Sequence, residues 1–168
     1  MTAFPLPPAM RRALDLAAVA AEAGEVPVGA VITLDGEIIA EARNAMRGTL
    51  DPTAHAEIVA IRHAATRLGR SRLDGCTLWV SLEPCAMCAA AIALARLDAL
   101  RFAASDPKGG GVDHGARIFA QPTCHHRPDV LGGIGDQEAA VQLRTFFRQR
   151  RRTEEKGATR EGDAPISD

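Results

Sequence analysis

The stretch Pro84-Cys85-Ala86-Met87-Cys88 follows a second short stretch, His55-Ala56-Glu57, and together they spell H-x-E…P-C-x-x-C. Three of these residues, His55, Cys85 and Cys88, are good zinc ligands. A structural zinc usually has four protein ligands, whereas a catalytic zinc has three and keeps one position open for water. The pattern therefore predicts a catalytic zinc site, with these three residues as its ligands.

Glu57 stands two positions after the histidine and is not needed as a ligand. Residues two apart on a helix do not point the same way, so we expect its carboxylate to lie beside the metal. From there it can take a proton from water and deliver protons to a ring nitrogen and a departing amine. Loss of ammonia from an aromatic amidine requires both transfers, and the sequence thus predicts Glu57 as the catalytic proton shuttle.

Both halves of the motif fall where helices are predicted to begin. Pro84 suits the first position of a helix, which puts Cys85 and Cys88 on one face within its first turn and a half. The other helix begins near Asp51 to Thr53, either of which suits its cap. Helix N-termini lower thiol pKa values, so both cysteines are expected to bind metal readily as thiolates.

The pattern around the motif predicts a three-layer α/β/α domain, in which a mixed five-stranded sheet carries helices on both faces. Asp35-Gly36 indicates a hairpin turn between the first two strands. The predicted helices span about 9–23, 51–69, 84–97 and 135–151, and the strands span 26–34, 37–43, 76–81, 99–104 and a short stretch near 116–119.

Length and charge divide the chain into one domain and a tail. The 168 residues are 46% hydrophobic and 24% charged, an ordinary balance for one globular domain. We assign residues 1–152 to a zinc-dependent catalytic domain and residues 153–168 to an acidic tail without apolar periodicity, which is expected to be disordered. Residues 144–152, just before the tail, carry five arginines and no acid, a cluster that suits a phosphate backbone.

The chain has features of a cytoplasmic protein without a membrane partner. Apolar runs fall short of the roughly 18 residues of a membrane span, and residues 1–8 lack the pattern of a secretion signal. C-x-x-C in such a chain favours metal binding over a disulfide. A thioredoxin-like redox role is the alternative, but it leaves His55 and Glu57 without a function. Cys76, in an apolar run, is expected to be a buried strand residue.

Cys124-His125-His126 is a second metal-like cluster. It could complete a closed, four-ligand zinc site or form a second site. The other interpretations are a loop near the substrate and a structural packing role.

The sequence resembles the bacterial tRNA-specific adenosine deaminases, members of the cytidine-deaminase-like superfamily, from about Met10 to Arg152. This family converts the wobble adenosine, position 34, of an arginine tRNA with the anticodon ACG to inosine. The zinc signature is shared by the whole superfamily, and the flanks are more specific. The matching stretches are 25–31, 51–58, 81–89, 106–110 and 146–151.

The resemblance implies one Zn²⁺ per subunit, held by His55, Cys85 and Cys88, with Glu57 as proton shuttle. It implies that Asn44 hydrogen-bonds the flipped base, that Val26 forms an apolar wall of its pocket, and that Asp106 contacts the neighbouring nucleotide. It also implies a homodimer and a basic last helix that meets the tRNA anticodon stem-loop through Arg148, Arg150 and Arg151. Residues 109–126 follow the pattern of only part of the family, and the tail has no counterpart.

Two other functions are compatible with the same residues. The first is deamination of a free nucleobase or nucleoside, such as guanine or cytosine, which would not require the arginine cluster. The second is a non-catalytic binding module stabilised by zinc, which predicts four protein ligands and no need for Glu57.

Overall fold

The structure, a computed structural model, describes residues 5–161, whose strands form one five-stranded sheet in the order β2-β1-β3-β4-β5. β1 pairs antiparallel with β2 and β3, while β3, β4 and β5 run parallel. The predicted mixed sheet is therefore confirmed. The strands are β1 (Gly29–Leu34), β2 (Glu37–Arg43), β3 (Cys76–Leu82), β4 (Ala99–Ala104) and β5 (Asp129–Leu131). The helices are α1 (Pro8–Glu22), α2 (Met46–Thr49), α3 (Ala56–Leu68), α4 (Ala86–Leu94) and α5 (Asp136–Glu161).

Helices cover both faces of the sheet, which confirms the three-layer architecture. α3 and α4 enclose one core with the sheet, in which Leu78 and Val80 of β3 are buried. α1 and α5 enclose the second core, against which Trp79 of β3 packs. Successive strand residues point to opposite faces, so one strand supplies side chains to both cores. Cys76, at the start of β3, is fully buried, as predicted.

The fifth strand lies later in the chain than the sequence predicts. Residues 116–119 were expected to form it, but Ile118–Ala120 form a 3₁₀ turn whose Phe119 packs into the α3–α4 core. The strand is Asp129–Leu131, which extends the sheet beyond β4. At three residues it is too short to show any periodicity, and its pairing depends on the neighbouring strand.

Two helices begin a little later than predicted. His55 is the N-cap of α3 and Cys85 is the N-cap of α4, so neither Asp51 nor Thr53 caps the first, and Pro84 precedes the second. Asp51 instead accepts hydrogen bonds from the backbone and hydroxyl of Thr53, forming a turn before the helix.

α5 continues to Glu161, well past the predicted end near Arg151. Residues 153–161 of the acidic tail, expected to be disordered, are therefore helical. They lack an apolar stripe, but good helix formers such as Glu154 and Glu155 extend a helix that tertiary packing has already nucleated. Residues 162–168 of the tail lie outside the described residues. Within 5–161, every helix is too short or too polar to cross a membrane.

Candidate metal centre

The three predicted ligands come together where the N-termini of α3 and α4 meet. His55 and Cys85 occupy the two N-cap positions, and Cys88 follows in the first turn of α4. The His55 Nδ1 atom lies 3.7 Å from the Cys85 Sγ atom and 3.6 Å from the Cys88 Sγ atom. All three ligand atoms lie within 4.8 Å of one another. The fold thus joins two segments separated by about thirty residues into one cluster.

The spacing and chemistry of this cluster fit zinc. With Zn–S near 2.3 Å and Zn–N near 2.0–2.1 Å, tetrahedral geometry puts a nitrogen and a sulfur ligand about 3.6 Å apart. Both measured nitrogen–sulfur distances agree with that value. Two thiolates and one imidazole are also a donor set that zinc prefers. The cluster is therefore compatible with a zinc ion that has one position open.

Contacts within the cluster shift the pKa values of its two thiols in opposite directions. Hydrogen bonding to Cys88 lowers the pKa of Cys85 to about 4. The same hydrogen bond, together with burial, raises the pKa of Cys88. The contact with Cys85 raises the pKa of His55. Zinc binds cysteine as the thiolate, so metal binding at this cluster is coupled to the release of thiol protons.

Glu57 lies in the first turn of α3, with only 4% of its surface exposed. Its carboxyl interacts with Cys88, but it does not join the cluster of ligand atoms among residues 5–161. Burial raises the pKa of Glu57 to about 7. A carboxyl with a pKa near neutrality can both accept and donate a proton, as the predicted shuttle requires.

Asn44 lies directly after β2, and only 5% of its surface is exposed. Its Oδ1 atom accepts a hydrogen bond of 2.9 Å from the backbone N–H of Ala56, the first residue of α3. Asn44 therefore fixes the helix start that carries His55. With Oδ1 used in this way, the side-chain NH₂ group is the part suited to donate to a ligand.

Val26 and Asp106 occupy loops rather than regular elements. Val26 was expected inside the first strand, but it precedes β1 and packs half-buried against the α3–α4 core. Asp106 follows β4, and its Oδ1 atom accepts hydrogen bonds from the backbones of Lys108 and Gly109. Its second carboxylate oxygen accepts no hydrogen bond from the part of the chain that the structure describes, and can thus receive one from a ligand.

The basic residues of α5 border a cavity of about 690 Å³ that reaches the Asp106 loop. Arg148 and Arg151 are exposed on it, and Arg150 is half-buried over the Phe146 ring. Lys108 lines the same cavity, along with Arg144 and Phe147. Lys108 could not be identified as a functional candidate from the sequence, because a lone lysine in a glycine-rich loop carries no recognisable pattern.

The segment Cys124-His125-His126 does not join the metal cluster. The Cys124 thiol donates to the His126 carbonyl, and the His126 Nε2 atom lies 2.6 Å from the Leu97 carbonyl oxygen. The second contact ties the segment to the turn that follows α4 and supports a packing role. Within residues 5–161, the metal cluster has three members and not four.

Comparisons with known proteins agree with this geometry. Residues 7–151 match the family model of the MafB19-like deaminases. The chain is 54% identical over 142 residues to a tRNA-specific adenosine deaminase of Agrobacterium fabrum, with 84% of this chain and 93% of that protein covered. A structure from studies of A-to-I editing by tRNA:A34 deaminases superimposes with a TM-score of 0.80 at 53% identity, covering 80% of this chain and 98% of the other. A Bacillus subtilis guanine deaminase superimposes with a TM-score of 0.59 at 39% identity, covering 72% and 80%.

Proposed function

This chain belongs to the MafB19-like deaminases, among the tRNA-specific adenosine deaminases, and we propose that it converts adenosine to inosine at wobble position 34 of tRNA. The observation that carries the proposal is the three-ligand cluster with buried Glu57 beside it but outside the ligand set. That arrangement provides an open metal position and a proton carrier, the two requirements of hydrolytic deamination. As the finer assignment, we propose arginine tRNA with the anticodon ACG as the substrate.

We propose Zn²⁺, one per subunit, as the metal, with His55, Cys85 and Cys88 as its ligands. When bound, zinc lowers the pKa of a water at its open position and so supplies the nucleophile for C6 of adenine. Glu57 receives the proton of that water on a carboxylate oxygen. It gives that proton to the ring nitrogen, then takes the proton of the hydroxyl group added at C6 and passes it to the amino group, which leaves as ammonia.

Three residues hold the base and its neighbour in this proposal. The Asn44 side-chain NH₂ donates to the flipped base, while its Oδ1 atom remains bonded to Ala56. Val26 provides an apolar wall, and the second oxygen of Asp106 accepts a hydrogen bond from the next nucleotide. An anticodon loop suits such a site because its bases are already unpaired, so flipping one costs less than in a duplex.

We propose that the RNA backbone follows the basic cavity from α5 to the Asp106 loop. Lys108 lies two residues from Asp106 and lines the same cavity as Arg148, Arg150 and Arg151. Each phosphate contact releases counterions when the RNA binds, so the loss of one contact makes the affinity less dependent on salt. Replacing Arg151 by alanine should therefore reduce the salt slope of stem-loop affinity by about 0.7–0.9. Affinities measured over a range of salt concentrations check this value. Arg72→Ala is the control, because Arg72 is exposed in the loop at the opposite end of β3; an equal reduction there would contradict the assignment.

We also propose that the protein is a homodimer that associates through α4. Met87, Ala90 and Leu94 share one face of this helix, and Leu94 is 82% exposed. An apolar stripe of this kind on a helix next to the metal cluster suits a second copy of the same surface. Leu94→Arg should convert a particle of twice 17.8 kDa into one of 17.8 kDa in light scattering after gel filtration. Val19→Arg, a change at an exposed residue of α1, should leave the mass unchanged; a monomeric wild type would refute the proposal.

For the chain as a whole, we propose a deaminase domain over residues 1–152, supported by the family match to residues 7–151. We further propose that the protein acts in the cytoplasm. The support is the similarity to bacterial proteins named tRNA-specific adenosine deaminases.

The rival activity is deamination of a free base, which the likeness to a guanine deaminase makes worth testing. Zinc-loaded protein should convert a stem-loop with adenosine at the wobble position far faster than guanine or cytosine. Turnover of the stem-loop should fall as salt rises, whereas turnover of an uncharged base should hardly change. Faster turnover of guanine or cytosine, or stem-loop turnover that ignores salt, would favour the rival.

A further inference from the structure

Glu83 is a buried carboxylate that the proposed mechanism does not use. It lies two residues before Cys85, and only 2% of its surface is exposed. Its Oε1 atom accepts hydrogen bonds from the backbone N–H groups of Val112, Asp113 and His114, at 3.3, 2.9 and 3.0 Å. Its Oε2 atom accepts one from the Asp106 N–H at 2.9 Å. The His114 Nδ1 atom lies 2.8 Å from that same oxygen.

These contacts join the two ends of one loop, residues 106–114, through a single side chain. Backbone N–H groups that are buried without a partner are costly, so the loop depends on this carboxylate for its shape. Asp106, the residue assigned to the neighbouring nucleotide, has its own N–H among these groups. Lys108, which lines the basic cavity, lies in the same loop.

The loop also approaches the metal-binding segment closely. The Gly111 N–H donates to the Pro84 carbonyl at 2.8 Å. A Cβ atom at Gly110 would lie 2.5 Å from the Glu83 carboxyl, and one at Gly111 would lie 2.4 Å from the Ala86 backbone nitrogen. The two glycines therefore allow the loop to lie against the residues that flank Cys85.

We propose that Glu83 is a positioning residue, which fixes the Asp106 loop relative to the metal ligands and so sets the affinity for the nucleotide next to the target base. This inference rests on the proposed function, since it deepens the role given there to Asp106. Glu83 acts through the loop and touches neither the metal nor the base.

The chemistry of a glutamine substitution makes the proposal testable. In Glu83→Gln the amide oxygen can replace Oε1 and keep three hydrogen bonds, but the NH₂ group then faces the Asp106 N–H, donor against donor. If the amide is turned around, the Asp106 bond survives and three others are lost. In either orientation at least one backbone N–H of the loop loses its acceptor.

Amide hydrogen exchange of the zinc-loaded protein is the direct test. In Glu83→Gln, loop amides among Asp106, Val112, Asp113 and His114 should exchange about 10-fold to 100-fold faster than in wild type. The amides of β3 and α4 and the zinc content should not change. This readout needs no RNA, so it distinguishes failure of this inference from failure of the proposed function.

The kinetic signature follows from the same role. In the proposed role, the loop binds the substrate equally well in the ground state and in the transition state. Disturbing it should therefore raise KM for the stem-loop about 10-fold and change kcat less than about 3-fold. Gly110→Ala is the second variant, because its Cβ would lie 2.5 Å from the Glu83 carboxyl and 2.6 Å from the Asp106 carbonyl oxygen, and so disturbs the same loop without changing the Glu83 side chain. It should give the same exchange and KM effects, also if Glu83→Gln fails to fold.

Thr33→Val is the matched control. It removes a hydrogen bond from Trp79 to a buried hydroxyl on the sheet, outside the loop. It should leave KM and loop exchange within about 2-fold. Unchanged loop exchange in both Glu83→Gln and Gly110→Ala, or a fall in kcat with KM unchanged, would overturn the proposal, as would equal effects in Thr33→Val.

Discussion

Replacing Glu57 by glutamine should lower kcat for the stem-loop about 10⁴-fold, while zinc still binds with one ion per chain. General acid–base catalysis by one side chain typically contributes about 10²–10⁴-fold. We expect the upper end of this range because one carboxyl serves both the proton removal and the proton delivery. Glutamine preserves the shape of the buried side chain but cannot carry a proton between these positions. Single-turnover kinetics on the stem-loop, with zinc measured by atomic emission, check the expectation.

Glu25→Gln is the matched control for this variant. Glu25 is also buried, at 4% exposure, and its Oε1 atom accepts backbone hydrogen bonds from Arg47 and Gly48. An amide oxygen can keep those bonds, so kcat should stay within about 3-fold of wild type. If Glu57→Gln retained most of its activity, or lost its zinc, Glu57 would be a structural residue or a ligand instead of the shuttle.

Replacing Cys88 by serine should abolish stoichiometric zinc binding and reduce activity more than 100-fold. Changes in residues that only support metal ligands typically cost about 10-fold to 100-fold, and loss of a ligand should exceed that. Cys88 is fully buried in the first turn of α4. Chelation of the wild type should cause the same loss, and added zinc should restore activity to the wild type alone.

Two other cysteines provide controls. Cys76→Ala changes a buried cysteine at the far end of β3, and Cys124→Ser changes a cysteine whose residue type could supply a fourth ligand. Both variants should hold one zinc per chain and remain active. Loss of zinc from Cys124→Ser would mean that the site is closed by a fourth ligand, and it would favour the binding-module interpretation.

The three-layer fold was predictable because its signals are local. The hairpin at Asp35-Gly36 and the apolar runs of β3 and β4 are visible in the sequence, and each buries residues in agreement with that pattern. β5 was missed because three residues carry no periodicity, and its place is set by pairing with β4. The helical continuation beyond residue 152 was missed because it follows from helix propensity and not from an apolar face.

The candidate site, like the fold, was only partly predictable from the sequence. The residue types of His55, Cys85 and Cys88 are recognisable in the sequence motif, and the structure brings these three side chains into one cluster. Two features could not be read from sequence. Asn44 holds the start of α3 through Ala56, and Glu83 holds the loop of Asp106. Both depend on hydrogen bonds to backbone groups, which any residue type can donate.

The most direct test of the account is nucleoside analysis of an arginine-tRNA anticodon stem-loop after incubation with the zinc-loaded protein. We expect inosine at the wobble position, no inosine at other adenosines of the stem-loop, and none from Glu57→Gln protein that still holds zinc. Persistence of the wobble adenosine with fully zinc-loaded wild type, or inosine formed equally by Glu57→Gln, would contradict it.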